Sequence, residues 1–151
     1  MVAIFKLRET HLITCSQLSV TVFNGEPWCE NWTLNTAQVR LSHLFKSPGF
    51  VGFGVQDPDL IGLVLGTLEP WEDHKIFYLR EICIHPEHQN QGLGSQLIDF
   101  LLDHLRQLNV RQVYLITQRD ILAERFYVKN GFAPSELILM TQSLKEKGLD
   151  G

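Results

Sequence analysis

The run Ile84-His85-Pro86-Glu87-His88-Gln89-Asn90-Gln91-Gly92-Leu93-Gly94-Ser95 is a glycine-bearing turn between a strand-like segment and a strongly amphipathic one. Upstream, residues 76–84 are rich in β-branched and aromatic side chains and stop at His85-Pro86, where proline removes a ladder donor. Downstream of Ser95, the residues Leu97, Ile98, Leu101, Leu102, Leu105 and Leu108 recur at helical spacing, with Asp103, Arg106 and Gln107 on the opposite face. In strand, glycine turn and helix order, the helix's first-turn N–H groups lack intrahelical acceptors, and Gly92 and Gly94 let an anion reach them. The pattern predicts a pyrophosphate site, with a simple tight turn as the plainer alternative. A Walker A loop would need Lys after the second glycine, whereas Gly94 is followed by Ser95 and Gln96. A Rossmann turn would need a small residue where Leu97 stands, so dinucleotide binding ranks second, although Asp120 lies about where a ribose-binding acid would.

Working outward, residues 113–117 form a short strand, parallel to the preceding one through a right-handed crossover. A helix over residues 121–130 follows, with Asp120 as N-cap and Gly131 as its left-handed close. Residues 136–143 read as a final strand, and its 137–141 portion suits pairing across a homodimer edge. Toward the N-terminus, Ala3, Phe5 and Leu7 alternate with Lys6 and Arg8 as a first strand, and Thr10 stands as N-cap before a helix carrying Leu12, Ile13, Leu18 and Phe23. A second helix runs from about Thr36 to Pro48-Gly49. Residues 50–55 and 60–68 flank the turn cluster Gln56-Asp57-Pro58-Asp59 as a hairpin. The order β-α-α-β-β-β-α-β-α-β describes a single α+β (α/β-like) domain over residues 1–151, with a mixed, mainly antiparallel central sheet flanked by helices.

Composition narrows the function. With 44% apolar and 20% charged residues in a 151-residue chain, one packed core is expected, and a net charge of −4 gives no footprint for nucleic acid or an anionic membrane. Cys15, Cys29 and Cys83 form no C-x-x-C pair, so free thiols are expected and a metal site is not. Lys6 and Arg8 cut off the apolar start, and residues 60–68 are about half the length a membrane helix needs. The expectation is a cytoplasmic protein.

Gln89-Asn90-Gln91-Gly92-Leu93-Gly94 resembles Q-x-x-G-x-G, the coenzyme A loop of the GNAT superfamily of N-acetyltransferases, and the strand Tyr78-Leu79-Arg80-Glu81-Ile82-Cys83-Ile84 looks like the one preceding that loop. Ala123-Glu124-Arg125-Phe126-Tyr127-Val128-Lys129-Asn130-Gly131-Phe132 is similar to the family's second motif, A-x-x-F-Y-x-x-x-G-F. The element order also matches that family's fold. Two departures stand out: Asp120 where many members carry Asn, and Asn90 where Gly or Arg is common.

The resemblance implies acetyl-CoA as cofactor, held by backbone groups of Ile82, Cys83 and Ile84, by the loop residues Gln89, Asn90, Gln91, Gly92, Leu93, Gly94 and Ser95, and by Asp120, Phe126 and Lys129. It implies Tyr127 as general acid, since a phenol with a pKa of about 10 can protonate a departing thiolate. It further implies Glu81 as the base, directly or through water, for transfer to a primary amine of a small molecule or peptide. Each has a plainer alternative: Tyr127 a packed aromatic, Glu81 a sheet-face carboxylate paired with a cation. His85 is a second candidate base, and Cys83 reads as a small buried sulfur. Glu26, Trp28, Trp32 and Trp71 mix aromatic and acidic groups suited to a cationic amine, and residues 26–32 are similar to the acceptor side of GNAT members akin to aminoglycoside acetyltransferases. The alternative function is a noncatalytic acyl-CoA-sensing module that regulates a protein partner.

Overall fold

The computed structural model describes residues 2–145, which divide into two compact units at the Thr117/Gln118 junction. The first unit is built on a five-stranded sheet in the order β1-β2-β3-β4-β5, formed by β1 (Ala3–Lys6), β2 (Phe50–Gln56), β3 (Leu60–Pro70), β4 (Lys75–Ile84) and β5 (Val110–Tyr114). Neighbours are antiparallel except β4 and β5, which run parallel and are joined through α3 (Leu93–Arg106). A hairpin turn can reverse a strand, but only a crossover can repeat its direction. The amphipathic run after the glycine turn supplies that crossover.

The helices α1 (Leu12–Phe23) and α2 (Leu34–Phe45) cover one sheet face. There Cys15, Leu18 and Val22 of α1 and Leu41, Leu44 and Phe45 of α2 bury with Leu63, Leu65 and Cys83 of the sheet. On the other face Phe53 meets Phe100 and His104 of α3, and Leu97, Ile98, Leu101 and Leu105 of α3 are buried. Helix starts differ from expectation where local hydrogen bonding decides. Thr10 caps nothing, because Glu9–His11 form a 3-10 turn and His11 precedes α1. Thr36 lies inside α2 as half of a capping box: its hydroxyl accepts from the Thr33 N–H at 2.9 Å, while its own N–H donates to the Thr33 hydroxyl at 3.0 Å.

β4 changes phase along its length. Leu65 pairs with Glu81 but Gly66 pairs with Leu79, so Arg80 is an extra, bulged residue. Before the bulge Leu79 pairs on the α3 side with Gly66, whose neighbour in that face is the Phe77 ring. After it, Glu81 and Cys83 face α1 and α2, opposite Leu65 and Leu63. The strict alternation that puts Leu79 on the same face as Glu81 is therefore broken, and the bulge turns Glu81 toward the helical pair.

The second unit contains α4 (Leu122–Lys129), closed by Gly131 at φ 94° as expected. Its N-cap is Ile121 rather than Asp120. Asp120 takes a left-handed φ of 64°, and its N–H donates to Glu124 Oε1 at 3.2 Å, so it forms the turn before the helix. The final strand expected over residues 136–143 does not form. Leu137, Ile138, Leu139 and Met140 are between 66% and 85% exposed and make no ladder among the described residues, so β-propensity there lacks the partner that turns it into structure.

Candidate active site

The ladder between β4 and β5 runs from Lys75↔Val110 to Tyr78↔Tyr114 and stops, while β4 continues to Ile84. β5 ends at Tyr114, so beyond Tyr78 the β5-facing edge of β4 has no strand partner among the described residues. Ile82, Cys83 and Ile84 lie on that stretch. The strand ends where the His85 N–H donates to Ile61 O at 2.7 Å.

The turn that follows is shaped by specific contacts. The Nδ1 of His85 accepts from the Glu87 N–H at 3.1 Å, capping a 3-10 turn over Pro86–His88, which gives that imidazole nitrogen a structural task. Gln89 Nε2 donates to Ile84 O at 3.0 Å and ties the loop to the end of β4. Asn90 and Gly92 both take left-handed backbone, φ 62° and 79°. Gly92 is the N-cap of α3, makes no side-chain cap, and a Cβ built on it meets nothing within 4 Å. Gly92 makes no side-chain cap, and the first-turn N–H groups of Leu93, Gly94 and Ser95 have no acceptor among the described residues, as at helix starts that bind phosphates. The buried Nδ1 of His88, just before this loop, also lacks a partner. The residues present fit a pyrophosphate-bearing cofactor.

Glu81 sits at the centre of three elements. Arg40 Nε of α2 donates to Glu81 Oε1 at 2.9 Å, and the Ser19 hydroxyl of α1 reaches Oε2 at a long 3.5 Å. The carboxylate is only 10% exposed and the Arg40 side chain 34%. Glu81 is thus ion-paired rather than isolated among apolar neighbours, and Oε2 is the lightly engaged oxygen. Its charge, together with burial, acts on the thiols beneath: burial first and Glu81 second push Cys15 up to about 12, and the same causes, with Cys15 added, hold Cys83 well above the ordinary thiol range. Cys83 is therefore a core sulfur and no nucleophile.

Tyr127, Phe126 and Lys129 belong to α4 in the second unit, where the Tyr127 ring lies edge-on to Phe126 at 5.4 Å and to Phe132 at 5.9 Å. The aromatic loops take up partners of their own. Trp28 packs on Phe23 at 5.8 Å, and Trp32 Nε1 donates to Glu30 Oε1 at 2.9 Å, while Glu26 is exposed and Trp71 is 52% exposed in the β3–β4 turn. Among the described residues of the first unit, the side-chain hydrogen bonds to Glu81 come from Arg40 and Ser19, and from none of Glu26, Trp28, Trp32 or Trp71.

Three features escape sequence reading. Arg40 is one, although its place between Ala37, Leu41 and Leu44 on the buried stripe of α2 marks it as a charge facing inward. A second is a cleft of about 300 Å³ lined by Thr14, Gln17, Thr21, Asp59 and His85. The third is a stack at the end of the β4–β5 ladder, where the Tyr78 and Tyr114 rings lie 4.5 Å apart and the Arg80 guanidinium sits 4.4 Å over Tyr78.

The model of the acetyltransferase (GNAT) family matches residues 18–132. The chain belongs to the GNAT family. Among curated relatives, the amino-acid acetyltransferase of Salmonella typhi is 23% identical over 94 residues, 62% of this chain and 20% of that protein. That of Serratia proteamaculans (strain 568) is 24% identical over 85 residues, 56% of this chain and 19% of the relative. The chain thus matches about a fifth of the length of these relatives. The GNAT fold recurs in a possible acetyltransferase from Clostridium difficile 630, with a TM-score of 0.82 at 11% identity over 97% of this chain and 99% of the other. It recurs too in an aminoglycoside acetyltransferase, AAC(6')-Iy, in complex with CoA, with a TM-score of 0.75 at 15% identity over 95% of each chain.

Proposed function

We propose that this GNAT chain is an acetyl-CoA-dependent N-acetyltransferase that moves the acetyl group to a primary amine of a small molecule or peptide by direct attack, within one domain spanning both units. The observation that carries the reading is the unpartnered β4 edge leading straight into an uncapped, left-handed entry to α3. The family match runs across the Thr117/Gln118 junction and supports treating the two units as one domain.

When bound, the cofactor supplies an acetyl thioester whose carbonyl carbon is the electrophile and whose thiolate leaves. Backbone groups of Ile82, Cys83 and Ile84 would hold the pantetheine arm and those of Gln89 to Ser95 the pyrophosphate, with Asp120, Phe126 and Lys129 as further cofactor-binding residues. Glu81 takes the proton of the attacking amine at Oε2, directly or through one water, because Oε1 is committed to Arg40. Tyr127 would supply the proton that the leaving thiolate takes up. Glu26, Trp28, Trp32 and Trp71 border the acceptor, and a homodimer and a cytoplasmic location belong to the same reading. Among the described residues no helix is long and apolar enough to cross a membrane.

Calorimetric titration with acetyl-CoA, with NAD and ATP as controls, tests the reading. Saturable one-site binding of acetyl-CoA alone, followed by thiol release on addition of amines, is the expected result. Binding of NAD or ATP instead, or no binding at all, refutes it; binding without transfer to any amine favours the acyl-CoA sensor.

A further inference from the structure

The cleft beside α1 is built entirely within the first unit. Its volume of about 300 Å³ is roughly ten waters' share of liquid, room for a small organic molecule. Thr14, Gln17 and Thr21 follow at i, i+3 and i+7 along its α1 wall, and Asp59 after the β2–β3 turn and His85 at the end of β4 join them in the lining. The cleft lies apart from Glu81. Those three α1 residues are exposed, whereas Ser19, the α1 residue that reaches Glu81, is buried, and His85 lies about 13 Å beyond Glu81 in the direction of the strand.

The hydrogen bonds of the lining residues decide what the cleft accepts. Thr14 Oγ1 donates to His11 O at 3.0 Å and Thr21 Oγ1 to Gln17 O at 3.0 Å, so both hydroxyl protons are committed to the helix and only lone pairs remain for a ligand. The Asp57 N–H donates to Asp59 O at 2.9 Å and fixes the turn, while the Asp59 carboxylate makes no ion pair among the described residues. His85 Nδ1 already accepts from the Glu87 N–H, which leaves its Nε2–H as the one fixed side-chain donor, and the Gln17 amide serves in either sense. No lysine or arginine lines the cleft, and Leu18 and Leu60 give it apolar surface. Three fixed acceptors, one of them fully charged, beside apolar surface call for a donor-rich cation on a short hydrocarbon stem. The chain's net charge of −4 favours its approach. We propose that this cleft binds a small primary alkylammonium ion, at a site separate from the acetyl-transfer centre. The proposal goes beyond the acetyltransferase reading and stands independently of it.

Amide NMR spectra of the full chain, titrated with n-butylammonium chloride at constant ionic strength, test the assignment without turnover. Saturable shifts are expected at the backbone amides of Thr14, Gln17, Thr21, Asp59 and Leu60, with a Kd of about 1 mM. D59N is expected to weaken binding about 10-fold and T21V about 3-fold. D103N removes the same charge from α3 and is expected to change the Kd by less than about twofold. Asp59, Thr21 and Asp103 are exposed, and the spectra themselves report whether each variant keeps the fold. The n-butyltrimethylammonium ion keeps the charge and the stem but has no N–H, and it is expected to bind at least about 10-fold more weakly. Neutral n-butanol is expected to give no saturable shift. An absent response to n-butylammonium, equal binding of its trimethyl counterpart or of butanol, equal losses in D59N and D103N, or shifts centred on Glu81 or on residues 89–95 overturns the proposal.

Discussion

Gly66→Ala is expected to be among the most damaging one-carbon changes in the sheet. Gly66 faces the bulge, paired with Leu79 across from the extra residue Arg80. A Cβ placed there lands on the Tyr78 carbonyl oxygen and comes within 2.6 and 2.7 Å of two Phe77 ring carbons. Neither obstacle can yield cheaply, since one is ladder backbone and the other a ring with 0% exposure. Overpacking costs about 1–3 kcal/mol, and two immovable contacts place this case at the top of that range, about 3 kcal/mol. For a chain of this size that is a fall in Tm of about 6 to 12 °C. Gly54→Ala is the control, because its Cβ meets only side-chain ends, those of Leu60 and Phe5 at 2.9 Å and of Leu7 at 3.1 Å; there about 1 kcal/mol is expected. Thermal melting followed by far-UV circular dichroism reads both. A Gly66→Ala protein that melts within about 2 °C of wild type, or above Gly54→Ala, would refute the account of the bulge as a rigid fixture.

Other outcomes follow from the site. Tyr127→Phe is expected to slow acetyl transfer while acetyl-CoA still binds, and an unchanged kcat would remove Tyr127 as the acid. Gly92→Val is expected to abolish acetyl-CoA binding in calorimetry; the protein itself offers no clash, so the cause is the φ of 79° together with a side chain standing where the phosphates belong. Native protein treated with an aromatic disulfide reagent near neutral pH should release one equivalent, from exposed Cys29, with Cys15 and Cys83 reacting only in denaturant. The same two thiols set a pH dependence. Their folded-state values are raised, so the stability they confer is complete below the ordinary thiol value of 9.0 and is lost as pH rises from there toward the value of about 12 for Cys15. Melting temperatures recorded on the alkaline side should fall, and a Cys15→Ala/Cys83→Ala double variant should flatten that fall.

Most of the sheet was legible because its signals are local. The hairpin cluster at Gln56 to Asp59, the proline after His85 and the leucine stripe of α3 each determine an element without help from distant residues. The glycine turn into α3 was legible for the same reason. What escaped is decided across the fold. The bulge at Arg80 follows from the register between β3 and β4, which no period-two reading of β4 alone contains, and it moves Leu79 and Glu81 to opposite faces. The Arg40–Glu81 pair joins residues far apart in sequence. Residues 136–143 have the composition of a strand, but a ladder needs a neighbour.

The connection between α1 and α2 is closed at its neck by the Asn24 side chain, beside a backbone bond from the Glu30 N–H to Phe23 O at 2.9 Å. The Asn24 amide donates to Trp32 O at 2.8 Å and its carbonyl accepts from the Trp32 N–H at 2.8 Å, so residues 24–32 form a ring clasped at its neck. Beyond the clasp, the Thr33–Thr36 box starts α2 independently. The interior of the ring can therefore be rewritten, in length as well as in sequence, while both helices and the Arg40–Glu81 pair they support keep their places. A lineage or an engineer seeking a new acceptor could exchange this segment as a cassette and leave the chemistry alone.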